Sequence, residues 1–170
     1  RLRHDVARRY SDPSFLSLVG KIDEAAALSL YEEVLLKIQS HYVESPRWRY
    51  LLEQGTHELE LALLEPKFLS SNGVKLEPGA AIALAGELRQ AASADWVRTR
   101  TEAREVVAQV ARWLHRRIGL PVSAAVLEYL CGATNSLDVY SAYLTPAQLA
   151  EVYSQIEGRF VGLGVELKAD

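Results

Sequence analysis

The chain has 170 residues, a formal net charge of −3 and 49% hydrophobic residues, a composition typical of one globular domain. Cys131 is the single cysteine, which excludes an internal disulfide framework and a thiolate zinc cluster. The pI near 5.9 argues against a general nucleic-acid-binding protein, because neutralising phosphates requires a clustered excess of Lys and Arg. No apolar stretch approaches the roughly 20 residues of a membrane-spanning helix, so we expect no membrane span.

The start of the chain suggests that it is a piece of a longer protein. It begins at Arg1 and contains no methionine. The lack of a signal peptide therefore says little about export, and the localisation stays open.

Capping residues predict the first helices. Asp12-Pro13 supplies an N-cap and a proline at the first helical position, and we expect Gly20 to close this short helix. Asp23 is predicted to begin the next helix, whose apolar residues recur at intervals of three and four as far as Tyr42.

The middle of the chain repeats these signals. Ser45-Pro46 predicts the start of another helix, which ends at or just before Pro66. Residues 70–79 are rich in turn residues and predict a loop that could separate two subdomains. An Ala-rich helix is predicted over residues 80–92.

The last helices are also delimited by their sequence. The longest periodic segment runs from Asp95 to Ile118 and is stopped by Gly119 and Pro121. A short helix is predicted over residues 123–132. A capping box at Thr145-Pro146 with Gln148 predicts a final helix that ends at Gly158.

Beyond Gly158 the pattern changes to a glycine-spaced, apolar run that predicts an extended strand. A lone strand cannot pair its own backbone groups, so it either pairs within this chain or begins a further domain. The expected fold is all-α, a helical bundle with a short C-terminal extended segment. We assign residues 1–158 to the helical domain and 159–170 to the segment that follows it.

Several residues could carry chemistry, and for each a structural role explains the pattern better. The four histidines form no pair at metal-ligand spacing, so we predict no metal site. Glu53, His57 and Glu60 could share one solvated helical side. Cys131 lies in an apolar helix end, which predicts a buried thiol. The arginines at positions 1, 3, 8 and 9 are interpreted as a linker to an upstream segment.

One stretch is more specific: residues 137–146 read Leu-Asp-Val-Tyr-Ser-Ala-Tyr-Leu-Thr-Pro, and after a helix residues 158–165 read Gly-Arg-Phe-Val-Gly-Leu-Gly-Val. This pattern resembles the junction before the PDZ domain in carboxyl-terminal processing (tail-specific) serine proteases, where Leu-Asp-Pro-Tyr-Ser-x-Tyr-Leu-Thr-Pro is followed by a helix and by Gly-x-Phe-x-Gly-Ile-Gly-Ile. The upstream stretch from Val34 to Val43, which ends in His41-Tyr42-Val43, resembles the helix and the helix exit at the start of those proteases. The chain differs from the family pattern in two ways, which indicate a divergent branch of the family. Val139 replaces the family's proline, and a long insertion lies between Tyr42 and Ser123.

The resemblance implies structural roles for one group of residues and peptide binding for another. The structural group consists of Leu137, Asp138, Tyr140, Ser141, Tyr143, Leu144, Gly158 and Phe160. Within it, we expect the short oxygens of Asp138 and Ser141 to bond backbone N–H groups of a loop. The side chains expected to anchor that loop on the core are Leu137, Tyr140, Tyr143 and Leu144. The peptide-binding group, which needs the rest of a PDZ domain, consists of Gly162, Leu163, Gly164 and Val165. For these glycines, a simple tight entry into a strand is an equally weighted alternative.

We expect no catalytic residue in the chain. The family cleaves with a serine nucleophile and a lysine base that lie downstream of the PDZ domain. Ser141 matches a structural serine of the motif, and neither Lys nor His occurs between His115 and Lys168 to serve as its base.

The expected function is therefore that of a non-catalytic helical domain, for dimerisation and positioning, of a protease that cleaves protein C-terminal tails. We expect no cofactor, a homo-oligomer, and C-terminal tails as partners of the parent protein, whose export to the periplasm or cell envelope is compatible with the family. The alternative is a free-standing helical interaction module unrelated to proteolysis.

Overall fold

The computed structural model describes residues 2–93, 95–138 and 141–157, with side chains from residue 5 onward. Within these ranges the chain forms nine α-helices and no strand, which confirms the all-α prediction. The helices are α1 (Leu2–Arg9), α2 (Pro13–Lys21), α3 (Glu24–His41), α4 (Trp48–Leu63), α5 (Pro66–Ser71), α6 (Pro78–Ala91), α7 (Arg100–Ile118), α8 (Val122–Asn135) and α9 (Pro146–Ile156).

Two predicted helix starts are confirmed by their caps. The Asp12 carboxylate accepts the backbone N–H of Ser14 at 2.8 Å, and the Asp23 carboxylate accepts that of Ala26 at 2.8 Å. The prediction for Gly20 is wrong by one residue, since α2 continues through Lys21.

The predicted start at Ser45-Pro46 is also wrong. The helix α4 begins at Trp48, after Arg47 as its N-cap residue. Proline restricts the residue before it to extended backbone, and residues 45–47 form the connection from α3. Further along, α4 ends at Leu63, and Pro66 begins the short helix α5, which the sequence analysis missed.

The helix α7 begins five residues later than predicted, at Arg100 instead of Asp95. Thr99 and Glu102 form a capping box: the Glu102 carboxylate accepts the N–H of Thr99 at 2.9 Å, and the Thr99 hydroxyl accepts the N–H of Glu102 at 3.2 Å. The predicted stop is confirmed, because Gly119 adopts the left-handed conformation, with φ 74°, that closes a helix.

The core is centred on α4 and α8, which make the most extensive helix contact in the described part of the chain. Every residue of α8 from Ser123 to Ala133 is buried, and α3 and α7 also pack against α8. Leu69 and Leu84, on either side of the 70–79 loop, belong to the same hydrophobic core. The predicted boundary at residues 158 and 159 lies at the edge of the described residues and stays a prediction.

Candidate functional site: the loop between α8 and α9

The loop that joins α8 to α9 contains most of the residues singled out in the sequence. Leu137 and Tyr143 are half-buried and pack on the core, as predicted. Asp138 is exposed, and its Oδ1 accepts the backbone N–H of Ser141 at 2.7 Å, which confirms that this short carboxylate bonds a loop N–H. The prediction that Leu144 anchors the loop is wrong, since this side chain is 39% exposed.

Other predicted site residues lie outside the described residues, and their roles stay predictions. They are Tyr140, Gly158, Phe160, Gly162, Leu163, Gly164 and Val165.

Tyr143 connects the loop to an aromatic cluster. Its ring meets the ring of Phe15 edge to face at 5.9 Å, and Phe15 meets Tyr10 in the same geometry at 5.2 Å. The backbone N–H of Tyr143 donates to Oδ1 of Asn135 at 3.3 Å, which ties the loop to the end of α8. Burial raises the pKa of Tyr143 to about 12, so its hydroxyl stays protonated at neutral pH.

Tyr42, directly after α3, holds the other end of the loop. Its hydroxyl donates to the backbone carbonyl of Leu137 at 2.8 Å. Two of the segments that resemble the protease family, 41–43 and 137–146, therefore meet in space, although Tyr42 and Leu137 are 95 positions apart in the sequence. Desolvation and the nearby carboxylates of Asp138 and Glu44 raise the pKa of Tyr42.

Thr145 begins α9 and makes the capping box predicted for it. Its hydroxyl accepts the N–H of Gln148 at 3.3 Å, and the Gln148 side chain accepts the N–H of Thr145 at 3.0 Å. The Thr145 hydroxyl also donates to Oδ2 of Asp12, the N-cap residue of α2. This bond lowers the pKa of Asp12, because it favours the charged carboxylate.

Arg9 is buried and directly precedes Tyr10 of the aromatic cluster, so it is not part of a linker, contrary to the interpretation of the N-terminal arginines. It is only 6% exposed, and its Nη2 donates to Glu58 at 2.8 Å and to Glu128 at 2.5 Å. One buried guanidinium thus serves two buried carboxylates, from α4 and α8. Such a cluster is costly to break, because an unpaired charge would remain in the interior.

Cys131 lies in the same region, and the prediction of a buried thiol is confirmed. Burial raises its pKa well above the ordinary value, so the thiol is neutral. Its position beside Arg9 does not make it a nucleophile, because desolvation is the largest influence on it.

A polar cleft of about 650 Å³ lies between α4 and the end of α6. It contains the Glu53, His57 and Glu60 side of α4, and here the prediction of a solvated face is only partly right. Glu60 is buried and accepts two hydrogen bonds from Arg89, at 2.9 and 2.7 Å. Arg49 pairs with Glu53 at 2.7 Å. These charges are compensated within the cleft, which favours a structural role.

A second, more apolar groove of about 610 Å³ follows the turn from α4 through α5 to α6. Leu63, Leu69 and Val74 form part of its wall, and Ile82 at its edge is 65% exposed. Apolar surface is therefore exposed along this groove.

Within residues 2–93, 95–138 and 141–157, no three His, Cys, Asp or Glu side chains come together as a metal site would require. Over the same residues, no helix has the length and apolar character needed to cross a bilayer.

Comparison of the chain with protein-family models, with curated protein sequences and with solved structures finds no significant match.

Proposed function

We propose that this chain is the non-catalytic N-terminal helical domain of a carboxyl-terminal processing serine protease, and that it positions the part of the protease that follows it. The proposal starts from the residues at 137–146 and 158–165, whose order and spacing resemble the family's junction.

The observation that carries the proposal is the hydrogen bond from Tyr42 to the carbonyl of Leu137. Residues 41–43, which also resemble the start of those proteases, lie far from the 137–146 motif in the sequence, and this bond brings them into contact. A chance likeness of two separate segments would not require them to meet.

The anchoring of the loop supports a structural role for its residues. Tyr143 packs on Phe15, and the Asp138 carboxylate closes a turn by accepting the Ser141 N–H. These side chains are engaged in holding the loop, as expected of structural motif residues. Within this proposal the domain itself does not cleave peptides, and its parent acts on protein C-terminal tails as a homo-oligomer.

The sequence encoded after Asp170 in the parent gene tests the proposal. We expect a PDZ domain and, beyond it, a serine and a lysine that act as nucleophile and base. The parent protein should cleave an unstructured peptide at its C-terminal tail, and the present chain alone should not. Cleavage by this chain alone that is abolished in Ser141→Ala, but retained in Ser136→Ala, would overturn the proposal.

A second function, that of a free-standing interaction module, is favoured by the apolar groove beside Ile82. In that case the sequence after Asp170 would lack a PDZ domain. A partner would bind in the groove, and Ile82→Glu would weaken its binding while leaving the fold intact.

A further inference from the structure

The helix α9 buries little of its surface against the helical bundle along its length. None of its residues from Pro146 to Ile156 is buried. Leu149, Val152, Tyr153 and Ile156 recur at the i, i+3, i+4 and i+7 positions of one face, and all four are exposed. Packing along the length of α9 therefore contributes little to holding it in one direction.

The N-terminal end of α9 is held far more firmly. Thr145, directly before the helix, is 1% exposed, and its hydroxyl donates to Oδ2 of Asp12. In the first turn of α9, the backbone N–H of Ala147 donates to Oγ of Ser14 at 3.1 Å. We call Asp12, Ser14 and Thr145 the clasp.

The Asp12 carboxylate serves two helices at once. Its Oδ1 accepts the N–H and the hydroxyl of Ser14 in α2, at 2.8 and 2.7 Å, while its Oδ2 accepts the hydroxyl of Thr145. Both helices present their N-terminal ends to this carboxylate. A negative charge is favourable at a helix N-terminus, and hydrogen bonds to a charged acceptor are stronger than neutral ones.

We infer that the clasp sets the direction of α9 relative to the helical bundle, so that Asp12, Ser14 and Thr145 are positioning residues for whatever follows α9. Two inter-helix bonds, at Thr145 and Ala147, restrain the helix axis as well as its starting point. The identification of the following part as a PDZ domain rests on the proposed function; the role of the clasp does not.

A distance measurement on this chain tests the inference. Electron double resonance measures the direction of α9 as a distance between two spin labels. The labels are attached to cysteines introduced at Glu105, on the exposed side of α7, and at Gln155, near the end of α9. The buried Cys131 is replaced by Ala in this background, and excess unlabelled chain removes intermolecular distances. Because Gln155 lies about 15 Å along α9 from Thr145, a swing of about 20° moves the label by about 5 Å.

The variants distinguish the effect of the clasp on the direction of α9 from the effect of the capping box at the start of α9. Asp12→Ala removes the acceptor on α2 but leaves the Thr145–Gln148 capping box intact, and Ser14→Ala removes the second bond. We expect both to shift or broaden the distance distribution by about 5 Å, most strongly when combined. Thr145→Val should have the same effect and Thr145→Ser, which keeps the hydroxyl, should restore the parent distribution. Gln148→Ala, which leaves the Asp12 bond in place, should not change it.

Helical content by circular dichroism is recorded for each variant. An unchanged narrow distribution in folded Asp12→Ala/Ser14→Ala would overturn the inference. So would an equal shift in the control Asp23→Ala, which removes the N-cap of α3, away from α9. This result is independent of the sequence after Asp170, so failure of the clasp and failure of the proposed function are distinguishable.

Discussion

Gly132 in α8 packs directly on Gly55 in α4: a Cβ added to Gly132 would lie 2.6 Å from the Cα of Gly55 and 2.6 Å from the carbonyl oxygen of Gln54. Both contacts are with backbone, which cannot move aside as a flexible side chain could. The close approach of α4 and α8 at this point therefore depends on the absence of a side chain at Gly132.

We predict that Gly132→Ala destabilises the protein by about 3 kcal/mol, at the upper end of the usual cost of overpacking. The matched control is Gly86→Ala in α6, where an added Cβ meets nothing within 4 Å. Because alanine is the better helix former, this control should gain up to about 1 kcal/mol. Urea denaturation measures both. Equal stability of the two variants would contradict the close approach of α4 and α8.

A pH-dependent prediction follows from the Arg9 cluster. Burial raises the pKa of Glu128 and the Glu58 carboxylate raises it further, while Arg9 opposes both effects. A group whose pKa is higher in the folded state stabilises that state at low pH, and this contribution is lost as the pH rises through the folded-state pKa. We therefore expect Glu128→Gln to become more stable relative to the parent protein as the pH increases above about 4.3, the ordinary value for Glu.

The measurement is the free energy of unfolding of the parent and the variant across the pH range from mildly acidic to mildly alkaline. The control is Glu87→Gln, in an exposed pair with Arg117 at 3.5 Å, where the difference should stay within about 0.5 kcal/mol at every pH. A constant difference between Glu128→Gln and the parent protein would show that Glu128 does not hold a proton in the folded state.

The local signals in the sequence predicted the helices well, because a cap depends on residues within one turn. Asp12, Asp23 and Thr145 each begin the helix assigned to them, and Gly119 ends α7. The predicted start of α7 is wrong because residues 95–97 continue the apolar periodicity of the helix without being part of it. The capping box of Thr99 and Glu102 was the stronger signal and was present in the sequence.

The long-range polar contacts were missed, because no local pattern specifies them. Asp12 and Thr145 are 133 positions apart, and Arg9 and Glu128 are 119 apart. One signal was available: Glu128 is a single charge in the otherwise uncharged helix α8. A lone carboxyl group in such a buried helix requires a hydrogen-bond donor as its partner, which identifies the class of the missing residue but not Arg9 itself.

Tyr143 gives a prediction for the loop between α8 and α9. Because its half-buried ring packs on Phe15, we expect Tyr143→Ala to cost about 2 kcal/mol, less than the 3–5 kcal/mol typical of fully buried aromatic residues. Tyr143→Phe keeps the ring and should retain most of the stability.

Tyr153→Ala in α9 is the matched control, since this tyrosine is 58% exposed and its loss should change the stability by less than about 0.5 kcal/mol. Thermal melts at a protein concentration low enough to keep the chain monomeric compare the three variants, so that association through α9 does not contribute. A Tyr143→Ala variant as stable as Tyr153→Ala would show that the Tyr143 ring does not help to hold the loop on the core.

The exposed apolar face of α9 gives the last prediction, that this chain associates with itself through α9. Leu149, Val152, Tyr153 and Ile156 form a continuous stripe, and Ile156 is 75% exposed. Burying an apolar stripe of this kind is favourable, and the described residues of this chain leave the α9 stripe uncovered.

Ile156→Glu places a charge in the stripe, and we expect it to weaken association at least tenfold, about 1.4 kcal/mol. Ile82→Glu, in the separate groove beside α5 and α6, serves as the control and should associate like the parent. Sedimentation at several protein concentrations measures the association of the parent and of both variants. A monomer at every concentration would exclude self-association. If only Ile82→Glu weakened association, the interface would be the groove and not α9.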